Sequence, residues 1–143
     1  MCVYAFLFLG AGLVAGDMPT AAEQKASKQF QGTWAMVSLH VDGKPAAARE
    51  VRANRLVIDG YRWVWFSRGA WLEGIYKLDP TRKRKTIDLT FSIGLDEGKI
   101  LQGIYKLDGD KLTVCLPHLG AERPKEFAAK RGFDLSVWKR VKR

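Results

Sequence analysis

The sequence predicts an all-β protein: an antiparallel meander of about eight strands rolled into a barrel, with one short helix after strand one. Three observations lead there. The hexapeptide Gly-Ile-Tyr-Lys-Leu-Asp occurs twice, at Gly74–Asp79 and Gly103–Asp108, each time running into turn residues and a second alternating segment. That pattern encodes a repeated β-hairpin. Turn signals recur about every eight to twelve residues, too closely for strand–helix–strand units. Alternation then sorts the strands into two faces. Leu72, Tyr76, Leu78, Ile87, Leu89, Phe91, Leu101, Tyr105, Leu107, Leu112, Val114 and Leu116 share one, while Glu73, Lys77, Asp88, Thr90, Gln102, Lys106 and Lys111 share the other. One face is therefore buried and the other wet. Gly74 and Gly103 fall on the apolar face at equivalent places in the repeats. Strand glycines there let a sheet coil until it closes, and closure removes unpaired edges.

The elements follow in order. Residues 17–29 are small and polar and read as a flexible leader or one short helix ahead of a barrel domain spanning 30–143. The first strand, Thr33–Val41, ends at the turn Asp42-Gly43-Lys44-Pro45. Ala46–Ala53 holds helix formers and no breaker, enough for about two turns over one mouth of the sheet. Arg55–Asp59 and Tyr61–Ser67 flank Gly60, and Ala70–Leu78 follows across Arg68-Gly69. Asp79-Pro80 leads to Lys85–Ile93, and Asp96-Glu97-Gly98 leads to Lys99–Leu107. Asp108-Gly109-Asp110 turns into Lys111–Leu116, since Asp-Gly readily takes positive φ. Pro117–Pro124 is a loop, Glu126–Ala128 a short strand, and Phe133–Val141 the last strand.

Bulk composition fits one domain with a real core: 143 residues, 47% hydrophobic and 11% aromatic. Residues 1–16 carry no charge, include the apolar run Val3–Val14, and end in Val14-Ala15-Gly16. This is the layout of a signal peptide cleaved before Asp17, which places the mature protein in the periplasm or outside the cell. Met18 is an alternative start, and translation from there would leave the protein in the cytoplasm. The apolar run is short for a bilayer, so no stable membrane span is expected once the signal is removed. The mature chain keeps only Cys115 and forms no internal disulfide. Cys115 sits in a strand with neither histidine near it in sequence, so it reads as a plain strand thiol and not a nucleophile.

Net charge is +9, all of it outside residues 1–16. Such a balance suits anionic partners. The densest cluster, Arg82-Lys83-Arg84-Lys85, lies between two strands and is either a solvated hairpin tip or a contact for an anionic polymer or protein. No specific nucleic-acid motif accompanies it.

The domain begins Phe30-Gln31-Gly32-Thr33-Trp34 and ends near Trp138-Lys139-Arg140. A Gly-x-Trp on the first strand with a basic residue from the last resembles the lipocalin and calycin pattern. The resemblance implies a barrel-closing motif of Gly32, Trp34 and Arg140, with the cation across the indole; Lys139 and Lys142 compete for that place. The ordered strings Val41-Asp42-Gly43-Lys44-Pro45, Arg55-Leu56-Val57-Ile58-Asp59-Gly60, Gly74–Pro80, Lys85–Thr90, Gly103–Gly109 and Glu122-Arg123-Pro124 with Phe127 extend the match over residues 30–143. Together they are similar to a family of small uncharacterised lipocalin-like domains abundant in planctomycete bacteria. That family implies a fold and no established chemistry. This chain departs from it in the aromatic stretch Tyr61–Phe66 and in the basic tip.

No catalytic set emerges. His40 and His118 lack metal-ligand spacing and a paired acid, so no metal, cofactor or enzymatic activity is expected. The many aspartates at turns are explained by turn chemistry. Tyr61, Trp63 and Trp65 share one face of their strand while Val64 and Phe66 share the other, so one apolar face must meet something besides water. Inside a small barrel, Trp34, Met36, Tyr76 and Tyr105 are the natural lining, either around a ligand held by the tyrosine hydroxyls or simply filling the core. Two functions follow. One is an exported, non-enzymatic binding protein holding a small apolar or amphipathic ligand in the barrel. The other is a packed interaction module whose surface, with Tyr61, Trp63, Trp65 and Arg82–Lys85, docks an anionic polymer or protein. An interior of several hundred Å3 separates the first from the second.

Overall fold

A computed structural model describes residues 18–142. The signal peptide expected over residues 1–16, and Cys2 with it, lies outside the described residues. The elements are α1 (Ala21–Phe30), β1 (Gly32–Val41), β2 (Lys44–Pro45), α2 (Ala48–Arg52), β3 (Asn54–Asp59), β4 (Arg62–Ser67), β5 (Ala70–Asp79), β6 (Thr86–Phe91), β7 (Ile100–Asp108), β8 (Lys111–Pro117) and β9 (Phe133–Arg140). Strands β1 and β3 to β9 pair antiparallel in sequence, and β9 returns to β1 from Trp34↔Arg140 to Val41↔Asp134. The result is a closed eight-stranded antiparallel barrel, with the two-residue β2 hanging on β1.

Alternation sends the expected face inward. Tyr76, Leu78, Ile87, Phe91, Tyr105, Leu112, Val114 and Leu116 are buried. Leu72 is the exception, exposed near the start of β5 where the wall ends. On β1 a bulge between Met36 and Ser38 leaves the exposed Val37 without a cross-strand partner and shifts the register, so that Leu39 packs on the core after Trp34 and Met36. Such a bulge bends the strand and re-aims its side chains.

The repeat glycines are sites of close approach. A Cβ on Gly74 would meet the Thr90 carbonyl oxygen at 1.8 Å and the Trp63 ring at 2.9 Å. Trp63 and Phe91, its cross-strand partners on either side, pack edge to face at 5.5 Å and cover it. A Cβ on Gly103 would meet the Cys115 carbonyl oxygen and the Leu116 side chain, each at 2.6 Å.

One expected element is absent. Glu126–Ala128 forms no strand; it belongs to the long loop between β8 and β9, which lies against the outer wall. Arg123 pins that loop by donating to the Gly103 carbonyl at 2.7 Å and by pairing with Asp88 at 2.8 Å. Pro124 is buried under it, as are the outward residues Ile104 and Cys115. Of the two readings of the segment ahead of the barrel, the short helix is the one found and the flexible leader is not: residues 21–30 are helix α1, capped by Thr20, whose Oγ1 accepts from the Glu23 amide at 3.1 Å.

Gly74→Ala is expected to lower stability by about 2 kcal/mol or more through overpacking, read as a fall in the urea midpoint. Leu95→Ala, at a fully exposed position in the β6–β7 turn, is expected to stay within about 0.5 kcal/mol of the parent.

Candidate functional site

One end of the barrel is built by the start of β1, the end of β9 and the turns β3–β4, β5–β6 and β7–β8. Helix α1 precedes β1 directly and lies across that mouth, burying Ala26, Ser27 and Phe30. The Phe30 ring meets Tyr76 edge to face at 5.1 Å and reaches Tyr105 at 6.3 Å and Trp34 at 6.4 Å. Ser27, Gln31 and Tyr76 then stitch the helix to the β3–β4 turn. The Tyr76 hydroxyl donates to the Gly60 carbonyl at 2.6 Å, sits 2.5 Å from Ser27 Oγ and accepts from Gln31 Nε2 at 3.2 Å. Gln31 Oε1 takes the Gly60 amide at 2.8 Å.

Gly32, Trp34 and Arg140 converge at the same end. The Arg140 guanidinium lies 4.3 Å from the Trp34 ring centre, and Trp34 is fully buried with its indole N–H donating to the Phe30 carbonyl at 3.0 Å. Arg140 also donates to the carbonyls of Gln29 and Gln31 and to Asp110 Oδ1. A Cβ on Gly32 would meet the guanidinium at 3.2 Å, so the glycine leaves room for it. Lys139 is exposed and Lys142 pairs with Asp110 at 2.9 Å; neither takes the indole face.

The proposed lining residues are all buried, yet they surround side chains and not space. Trp34, Met36, Tyr76 and Tyr105 are at most 5% exposed. Phe30 enters from α1, and Leu56, Trp63, Ile87, Val114 and Trp138 fill the middle, leaving about 30 Å3. That holds one water molecule and no organic ligand. Tyr76 has spent its hydroxyl on α1, and burial pushes its phenol pKa up.

The aromatic strip divides. Trp63 is buried inside the barrel with its N–H on the Ile75 carbonyl at 3.0 Å. Trp65 also points inward, donating to Asn54 Oδ1 at 2.5 Å and packing on Trp138 at 5.8 Å. Neither forms the surface the sequence suggested, because β3 and β5 pair with β4 in the register that turns its odd-numbered positions inward. Of that trio only Tyr61 is exposed. Among the described residues the other exposed aromatics are Phe66 and Trp71, paired across β4 and β5 at the far end of the barrel. Alternation already sets Trp71 on the wet face of β5 with Glu73 and Lys77.

Arg82, Lys83, Arg84 and Lys85 occupy the β5–β6 turn at the α1 end, all exposed. Arg82 pairs with Asp79 at 3.1 Å; Lys83, Arg84 and Lys85 form no ion pair among the described residues. His118 lies 3.5 Å from Asp42 and 3.3 Å from Asp134, tying the β1–β2 turn to the β9 edge. Among the described residues no cluster suited to a metal ion occurs. Burial pushes the Cys115 thiol pKa up, which disfavours the reactive thiolate. Among the described residues no helix is long and apolar enough to cross a membrane. Comparison with protein-family models, curated proteins and solved structures gave no match.

In the sequence Phe30 and Gln31 figured only as the residues ahead of the Gly-x-Trp string, and Ser27 not at all. Thr20-Ala21-Ala22-Glu23 has capping-box spacing, and Ala26 and Phe30 stand four apart; together these announce a helix with one apolar stripe.

Arg140→Met is expected to cost about 2–3 kcal/mol, since it removes the stacked cation and three charge-assisted bonds; urea unfolding reads the loss. Hydrogen bonds from Lys142 and Arg140 hold the Asp110 carboxyl below its ordinary value of 3.8. Its stabilising contribution is therefore present above that pH and lost as pH falls through the lower folded value. The stability gap between the parent and Asp110→Asn should shrink correspondingly in acid, and a pH-independent gap would refute this. Cys115 is expected to resist a disulfide reagent in the native state and to react at once in urea.

Proposed function

We propose that this protein is an exported, non-enzymatic interaction module that docks an anionic polymer through the basic turn Arg82–Lys85. The observation that carries it is the contrast between interior and surface. The barrel is filled to about 30 Å3, while three adjacent exposed cations stand on a short turn without an acidic partner among the described residues. Lys25 of α1 faces the same recess as Lys85, which adds a cation from a second element. Exposed lysines and arginines on a rigid frame recognise polyanions mainly by releasing condensed counterions, so affinity is salt-dependent and only loosely sequence-dependent. Kinship with the lipocalin-like family stays part of this proposal, supported by the Gly32, Trp34 and Arg140 arrangement at one barrel end.

The measurement is heparin binding across a salt series. Log affinity should fall linearly with log salt, and replacing Arg82, Lys83, Arg84 and Lys85 together by Gln should lower the slope by about 3–4. Poly-glutamate tests the acidic-protein alternative: binding it more tightly than heparin transfers the role to a protein partner. No binding to either at low salt would end this reading. Export is tested on the native protein, whose first residue should be Asp17.

A further inference from the structure

The two copies of Gly-Ile-Tyr-Lys-Leu-Asp place Tyr76 and Tyr105 at equivalent positions, both under α1. Their hydroxyls have different fates. Tyr76 is bonded to Ser27, Gln31 and Gly60. Tyr105 is 3% exposed, yet among the described residues its hydroxyl has no hydrogen-bond partner. The hydroxyl is not sealed in: it keeps contact with solvent. Tyr105 lines a cleft of about 360 Å3 between α1 and the β5–β6 turn. Its other polar walls are Lys25 and Gln29 from the helix and Thr81 and Lys85 from the turn, with Leu107 on the apolar side. Lys25 and Lys85 form no ion pair among the described residues. Asp79, the acid of the turn, already holds Thr81 at 2.6 Å and Arg82 at 3.1 Å.

A tyrosine hydroxyl that has no protein partner and opens onto a recess bonds water there, and a guest oxygen that takes the place of that water makes the same bond. Burial together with nearby Asp79 pushes the Tyr105 phenol up to about 12. The group is thus a proton donor throughout the neutral range and never a competing anion. A donor at the floor, two ammonium groups at the rim and an apolar flank together describe one kind of guest.

We propose that the cleft between α1 and the β5–β6 turn binds a small organic anion, its carboxylate or phosphate head meeting Tyr105, Lys25 and Lys85 and its apolar body lying against Leu107. The site goes beyond polymer docking because it is a recess on a different scale, with Tyr105 and Lys25 outside the basic turn. The guest rests against the plug helix from outside, so the barrel interior stays closed.

The experiment is an amide chemical-shift titration of the protein with hexanoate and with phenyl phosphate, using 1-hexanol as the neutral control. Saturable shifts at Lys25, Lys85 and Tyr105 with at least one anion and none with 1-hexanol are expected. Binding of one anion and not the other identifies the head group. Tyr105→Phe, which removes one oxygen, should weaken that anion about tenfold, the scale of a hydrogen bond to a charged group. Lys25→Gln, on the exposed helix face, should weaken it similarly even if Tyr105→Phe unfolds. The triple variant Arg82→Gln/Lys83→Gln/Arg84→Gln should lose heparin and keep the small anion, so the two sites fail independently. Absence of saturable shifts with both anions, shifts mapping away from the cleft, equal binding of 1-hexanol, or unchanged affinity in folded Tyr105→Phe and Lys25→Gln would each overturn the proposal.

Discussion

Arg140 is the tie on which this molecule turns. It stacks on Trp34, donates to two carbonyls at the junction of α1 and β1, and reaches Asp110 in the β7–β8 turn. Four separate parts of the chain therefore meet at one guanidinium, at the seam where β9 closes on β1. A lysine would not serve, because its point charge cannot lie flat on an indole while directing several planar N–H bonds at once. With that seam fixed, α1 has a floor to rest on, and Phe30 completes the core from outside the sheet.

The plug explains why the interior is full. A barrel of eight strands has just enough room for its own inward side chains. Here those side chains include Trp63, Trp65 and Trp138, and the helix adds an aromatic ring. Open recesses lie instead outside the core, along the flanks of α1 and at the far mouth beside Trp65 and Trp71. Charge follows the same geometry, since the basic turn and Lys25 both border one of those recesses.

Much of this architecture was legible in the chain. The hairpin repeat, the turn spacing and the two-faced strands carried the barrel, because alternation is a local signal that tertiary packing had no reason to override. Gly32, Trp34 and Arg140 were readable only through resemblance, and the structure brings them together. What stayed hidden depended on register. Trp63 and Trp65 share a face in any strand, but which face looks inward is set by pairing with β3 and β5. Helix α1 was left open because small polar residues fit either a coil or a capped helix, and its docking is decided by Phe30 meeting Tyr76. The cleft was out of reach for a further reason: it joins Lys25, Lys85 and Tyr105, three positions that no local pattern links.

The placement of the five tryptophans governs how this protein can be watched. Trp34, Trp63, Trp65 and Trp138 are held inside the barrel, while Trp71 stands in water at the end remote from the basic turn. Intrinsic emission should then comprise a blue, quencher-resistant component and one red-shifted, iodide-sensitive indole. Neither sits beside the basic turn proposed for docking. The protein's natural fluorophores therefore report on the integrity of the barrel, and an optical test of the proposed docking needs a dye introduced near α1.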